Sequence, residues 1–378
     1  MSAALAVALA CAVSMPARAE VRIGVTVSAT GPAASLGIPE KNTIALCPKN
    51  VGGKAIEYIV LDDGSDTTSA VQNTKKLVSD DKVDAIIGST TTPNSLAMID
   101  VFAESETPTV SLASSARIIE PVDAKKAWSF KTPQTDVMMA GAILEHAKAN
   151  GVKTLGYIGF NDALGEAFFV EIDKAAAASG IPLVASERYA PKDTSVTGQA
   201  LKLISAKPDA IVVGASGTPA ALPARTLVEH GYRGKLYFNH GVANNDFLRV
   251  GGKDVEGGFV PTSPVIVAAQ LPETHPAKQR AEEYIRLYEA AYGAGTVSAF
   301  GSYTWDAWLE LAHAIPEALK TGQPGTREFR AGLRDGLEGI RDLRVSNGVV
   351  NMSKNDHLGL DQRARVVVRI VGNAWKLD

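Results

Sequence analysis

The residues best suited to chemistry are small hydroxyl side chains in two short stretches, IIGSTTTPNSLA (residues 86–97) and TVSLASS (residues 109–115). Each starts as an apolar β-type run and breaks into Ser, Thr and Ala. The first leads directly into a helix, with Thr92 as N-cap and Pro93 at the first helical position, where its missing N–H costs nothing. Unpaired N–H groups at that helix start, beside the hydroxyls of Ser89, Thr90 and Thr91, make a neutral socket for a carboxylate. Neither stretch pairs a nucleophile with a base. His146, His230, His275, His313 and His357 show no H-E-x-x-H spacing, so no zinc site is indicated. There is no G-x-S-x-G elbow, and GYIG (residues 156–159) falls short of G-x-G-x-x-G. Asp62, Asp63 and Asp66 lack EF-hand spacing and read as a solvated turn leading into a helix. The chemistry implied is capture of an anion, with no catalytic residue and no metal.

The elements that must position these loops alternate between strand and helix. Strands are expected at 21–28, 55–61, 83–87 and 107–112, with an amphipathic helix at 70–79 and another beginning at Pro93. The pattern then restarts. Strands at 154–159, 183–188, 210–213 and 235–239 alternate with helices at 165–179, 196–206 and 219–230. Strand–helix alternation of this kind builds parallel sheets whose ligands sit off the carboxyl ends of the strands, where both hydroxyl loops lie. A Pro-rich stretch at 259–276 precedes helices at 277–292, 299–319 (cut or kinked near Pro316) and 327–337, and β structure closes the chain from 348 to 377. Late helices returning to the first sheet require several crossings between two lobes, and such crossings form a hinge.

The chain has 378 residues, enough for two domains, and a net charge of −3, which offers no footprint for nucleic acid or anionic membrane surfaces. Residues 1–19 read as a cleavable export signal, with an apolar Ala/Leu/Val run too short to span a bilayer and Ala17-Arg18-Ala19 as cleavage site. No Lys or Arg precedes that run, which is atypical of such a leader. Cys11 would leave with it, and Cys47 alone cannot form an internal disulfide, so the core must hold the fold. A periplasmic location suits these features.

The segments VRIGVTVSATGPAASLG, LDDGSDTTSAVQNTKKLVSDDKVDAIIGSTTTPNSLA and NDHLGLDQRARVVVRIVGNAWKL together resemble periplasmic substrate-binding proteins of the leucine/isoleucine/valine-binding (type I) family, over essentially the whole mature chain. The resemblance implies an α/β fold of two Rossmann-like lobes with parallel sheets, joined by a three-stranded hinge. The lobes would comprise residues 20–135 with 263–345, and 136–262 with 346–378. It further implies a monomer without a cofactor that delivers a small molecule to the membrane permease of an ABC importer. By position, Ser89, Thr90 and Thr91 correspond to the carboxylate-binding loop, and Ala113 and Ser115 to a backbone and hydroxyl pair. Leu36 and Phe300 line the side-chain pocket, with Tyr303 one turn on. Phe160, Asn161, Leu164, Ser216 and His240 come from the second lobe. Amino-acid binders of this type carry a glutamate immediately before GVAN; here the residue is His240. A buried ammonium without an acid partner is costly, whereas histidine can donate to oxygen and, if protonated, favours an anion. The expectation is therefore a small carboxylate lacking an α-ammonium group, of the benzoate or hydroxybenzoate kind. Amino-acid capture with Asp162 or another acid of the folded cleft as substitute is the alternative, and a ligand-sensing module the second.

Overall fold

Buried parallel strands require apolar runs on both faces, and β1 (Val21–Val27) is such a run, with only Arg22 exposed. In the computed structural model, which describes residues 20–378, β1 is central to a six-stranded sheet. The signal read at residues 1–19 lies outside the described residues. After β1 come α1 (Ala34–Leu46), β2 (Asn50–Val51), β3 (Lys54–Asp62), α2 (Thr67–Ser79), β4 (Ala85–Gly88), α3 (Thr92–Ser105), β5 (Thr109–Ser111) and β6 (Ser129–Lys131). The strand order is β2-β3-β1-β4-β5-β6, parallel except for the short β2 hairpin.

The chain then crosses to a second lobe through α4 (Asp136–Ala149), β7 (Leu155–Phe160), α5 (Ala163–Ser179), β8 (Leu183–Tyr189), α6 (Thr197–Ser205), β9 (Ala210–Gly214), α7 (Ala221–Glu229), β10 (Lys235–Phe238), α8 (Asn245–Gly251) and β11 (Phe259–Thr262). It returns for α9 (Lys278–Tyr292), α10 (Ala299–Ala318), α11 (Arg327–Glu338) and the hairpin β12 (Leu343–Val345)/β13 (Gly348–Val350). The last passage delivers β14 (Val366–Val371) and β15 (Ala374–Leu377) antiparallel onto β11, giving the order β15-β14-β11-β10-β9-β7-β8. Three passages thus join two α/β lobes. Each sheet has its own apolar layers: Val25, Ile87, Phe130 and Leu311 in the first lobe, Ile158, Val213, Phe238 and Val260 in the second.

Three local expectations differ from the structure. The sequence assigns no helix to residues 34–46, yet α1 forms there. Its buried face carries Leu36, Gly37, Glu40, Thr43 and Ile44, so polar residues interrupt the apolar stripe by which a helix is recognised. Thr91, not Thr92, is the N-cap of α3, and its side chain makes no capping bond. Finally, α10 runs past Pro316 to Ala318. Pro316 removes one bond of the helical ladder, and the packing of α10 against α1 and α11 keeps the last turn helical.

Candidate functional site

The loops after β4 and β5 face those after β7, β9 and β10, enclosing a cavity at the carboxyl ends of both sheets. The lobes are closed on it. Gly217 of the second lobe is held near Pro32 and Ser35 of the first, where an added Cβ would sit 3.1 Å from Ser35 Oγ. About 20 Å³ of the cavity is open to the centre of a water molecule, room for little more than one water with the lobes in this position.

The first lobe supplies Leu36, Thr90, Thr91, Thr92, Leu112, Ala113 and Ser114, and the first crossover supplies Pro133. Leu164, Ser216, Asn239, His240 and Gly241 come from the second lobe, with Phe300 and Tyr303 from α10. Of the residues singled out in the sequence, Leu36, Thr90, Thr91, Ala113, Leu164, Ser216, His240, Phe300 and Tyr303 are therefore brought together.

Four others stand elsewhere. Ser89 donates to Asp63 Oδ2 at 2.6 Å. Asp63, expected in a solvated turn, is fully buried, and its Oδ1 accepts from the Ser28 hydroxyl at 2.6 Å and the Ser65 N–H at 3.0 Å. A strand-end carboxylate surrounded by donors is cheaper to bury than its neighbours in sequence suggest. Ser115 caps a short helical turn and bonds Asp136 at 3.2 Å, away from the cavity. Asn161 is exposed. Phe160, stacked obliquely on Tyr189 at 5.1 Å, lines an outer chamber of about 280 Å³ between the lobes, as does Asp162.

The cavity-facing polar groups divide by what already engages them. Thr90 Oγ1 accepts from the Ser28 N–H at 2.8 Å and is hydrogen bonded to Glu40. The Ala113 N–H donates to Ser111 Oγ at 3.2 Å. The Tyr303 hydroxyl donates to Gln134 at 3.1 Å in the first crossover. By contrast, Thr92 Oγ1, Asn239 Nδ2 and His240 Nδ1 are buried without a partner. Asn239 Oδ1 accepts from the Gly241 N–H at 2.7 Å, which turns the amide so that its NH₂ end is left over. Asn239 and Thr92 were not singled out as ligand groups from sequence, although Asn239 directly precedes His240 at the end of β10.

His240 is 2% exposed. Burial, then the nearby Lys131 ammonium, push its pKa down to about 3, so the imidazole is neutral at physiological pH. Desolvation thus disfavours the protonated form envisaged as complementing an anion. Lys131 is itself fully buried at the end of β6. Its ammonium donates to the Pro133 carbonyl, and burial, opposed by Asp136, Glu120 and Asp356, lowers its pKa to about 7. Around the ring position, Phe300 and Tyr303 meet edge to face at 5.7 Å and 84°, beside Leu36, Leu112 and Leu164. The lining joins a polar end to an apolar wall and has no nucleophile–base pair, and the described residues contain no metal-binding cluster.

Comparison with known proteins gives this geometry a place. The family model described as periplasmic binding protein matches residues 20–371. A solved extracellular ligand-binding receptor from Rhodopseudomonas palustris HaA2 is 42% identical, covers 96% of this chain and 100% of its own, and superposes with a TM-score of 0.93. A Leu/Ile/Val-binding protein homolog 3 from Brucella melitensis is 25% identical over 82% of this chain and 85% of its own length. A solute-binding protein of an ABC transporter from Rhodopseudomonas palustris BisB5, solved with 3,4-dihydroxybenzoic acid, shares the fold at a TM-score of 0.78 and 19% identity, with 94% of this chain and 95% of that one covered. No described helix is long and apolar enough to cross a membrane. The chain belongs to the periplasmic binding protein family, whose members bind solutes and are not enzymes.

Proposed function

We propose that this protein captures a small carboxylate without an α-ammonium group, favouring aromatic acids of the benzoate and hydroxybenzoate kind, and delivers it to an ABC importer permease. The observation that carries the reading is the cavity lining, which contains no aspartate or glutamate. The groups left unpaired there are an amide NH₂, a threonine hydroxyl and a neutral imidazole nitrogen, the first a donor only and the other two able to donate. A carboxylate can accept from all three. An α-ammonium would lie among donors with no anion to balance it, at an effective cost of several kcal/mol.

Asp162, the acid that could replace the missing glutamate, instead caps α5 by accepting from the Leu164 and Gly165 N–H groups at 2.9 and 3.0 Å. It borders the outer chamber and not the inner cavity. The apolar wall of Phe300, Leu36, Leu112 and Leu164 suits a ring. The dihydroxybenzoate-bound relative and the Leu/Ile/Val-named relative mark the two ligand classes to be separated. Titration calorimetry with benzoate, 4-hydroxybenzoate and leucine separates them. Micromolar or tighter binding of an aryl acid with no heat from leucine is the expected result; micromolar leucine binding with no response to aryl acids refutes it.

A further inference from the structure

Directly behind the cavity lies a carboxyl group that the reading above leaves unused. Glu40 sits on α1 with its side chain fully buried. Oε2 and Thr90 Oγ1 are hydrogen bonded, with Thr90 as donor if the acid is ionised, and Oε1 has no partner at all. A carboxylate so enclosed, with one hydrogen bond and no cation, is among the costliest arrangements a protein can hold, and protonation removes the cost. Burial first, then the Asp63 carboxylate, push the Glu40 carboxyl well above the usual range, against the opposing Thr90 contact.

The protonation state of Glu40 decides which way Thr90 points its proton. A hydroxyl has one donor and two acceptor positions. The Ser28 N–H fills one acceptor position of Thr90. If Glu40 were ionised, Thr90 would have to donate to it, presenting only a lone pair to the cavity it lines. With Glu40 neutral, the acid proton fills the second acceptor position, and the Thr90 proton is released towards the ligand.

We propose that Glu40, kept as the neutral acid, is a positioning residue that sets the Thr90 hydroxyl as a donor into the cleft and so selects for a carboxylate. The inference rests on the carboxylate reading. Other titratable groups surround α1 and the cavity: Asp63 after β3, Tyr284 and Tyr288 on α9 (bonded to Thr43 and Asn42), and Tyr303, Asp306 and Glu310 on α10. Across the cavity stand His240 and Lys131. Of these, only Asp63 bears electrostatically on Glu40.

The test combines calorimetry with benzoate and isotope-edited infrared spectroscopy of the whole protein at pH 7. Glu40→Gln replaces the acid proton by an amide N–H and should bind benzoate within about threefold of wild type. Glu40→Ala frees Thr90 to turn its proton away and should bind about tenfold more weakly. In the wild type, a difference spectrum between carbon-13-glutamate-labelled protein and the equally labelled Glu40→Gln variant should show a protonated carboxyl band that shifts when benzoate is added. An ionised Glu40, or a Glu40→Gln variant as weak as Glu40→Ala while wild type binds, overturns the role of Glu40 alone. If wild type binds no benzoate although the protonated band is present, the carboxylate reading fails and takes this role with it.

Discussion

Replacing Lys131 by methionine should stabilise the protein at neutral pH, although it removes a hydrogen bond. Lys131 is fully buried, and among the described residues no ion pair forms with its ammonium. Its one hydrogen bond is to the Pro133 carbonyl. Burial lowers the pKa from 10.5 to about 7. At 1.36 kcal/mol for each pH unit, that difference corresponds to about 5 kcal/mol of unfavourable free energy for the charged form in the folded protein. The orphaned Pro133 carbonyl offsets about 1 kcal/mol, so Lys131→Met should gain roughly 3–4 kcal/mol near pH 6. The unfolded chain keeps the lysine proton up to its ordinary pKa, whereas the folded protein releases it near pH 7. Between these values the unfolded state binds more protons, so wild-type stability rises with pH. The advantage of Lys131→Met should therefore shrink from pH 7 upward and, because the Pro133 carbonyl stays unpaired, pass through zero somewhat below pH 10.5. Denaturant unfolding followed by tryptophan fluorescence, with midpoints compared at unchanged slope, measures it. A variant less stable than wild type at pH 6, or an advantage that does not change with pH, would show that the ammonium is compensated within the fold and refute the reasoning.

The same ammonium lowers the pKa of His240, so its potential reaches the cavity, and Lys131→Met should also weaken benzoate binding in calorimetry. For His240→Glu, an ionised carboxylate about 5 Å from a bound carboxylate would repel it by about 3 kcal/mol at an effective dielectric constant of 20. Benzoate affinity should fall by about two orders of magnitude and leucine binding should appear; a variant that keeps its aryl-acid affinity and ignores leucine shows that His240 does not choose the ligand class. Asp306 accepts four hydrogen bonds from Ser346 and Asn347, at 2.6–3.1 Å, and fixes the turn of the β12/β13 hairpin onto α10. Asp306→Asn cannot satisfy all four donors and should cost about 2–3 kcal/mol in the same unfolding assay; a loss below 0.5 kcal/mol contradicts that assignment.

How much of this was legible beforehand differs from element to element, for physical reasons. The strand–loop–helix unit around β4 and α3 was readable because an apolar run, a hydroxyl cluster and Pro93 are local signals; the cap shifted by only one residue. His240 and Phe300 were found through resemblance, and both border the cavity. That Asn239 and Thr92 keep unpaired groups at the cavity could not be foreseen, because an unpaired amide or hydroxyl is a property of the fold. Nothing in sequence indicates that Asn239 Oδ1 is taken by the Gly241 N–H. Ser89 looked equivalent to Thr90 and Thr91, but buried Asp63, 26 positions earlier, engages its hydroxyl. Helix α1 escaped notice because Glu40 and Thr43 occupy its buried face. The residue that hid the helix is also the one that sets the polarity of Thr90.

On the proposed carboxylate reading, charge selection depends on groups just outside contact distance. No acidic, lysine or arginine side chain lines the cavity, so direct ion pairing cannot choose between a carboxylate and a zwitterion. The choice falls to orientation and potential. Asn239 is turned by Gly241 so that its NH₂ end is left over, Thr90 is turned by Glu40, and Lys131 contributes positive potential without touching the cavity. Burial keeps His240 neutral, which avoids setting a second buried cation beside Lys131. An anion gains from each of these terms, whereas the carboxylate end of an amino acid gains from them and its ammonium end loses. Converting this cleft into an amino-acid site should therefore require an acid at His240 together with removal of the Lys131 charge. The double variant His240→Glu/Lys131→Met should bind leucine more tightly than His240→Glu alone, and equal affinities would mean that the potential of Lys131 does not reach the ligand.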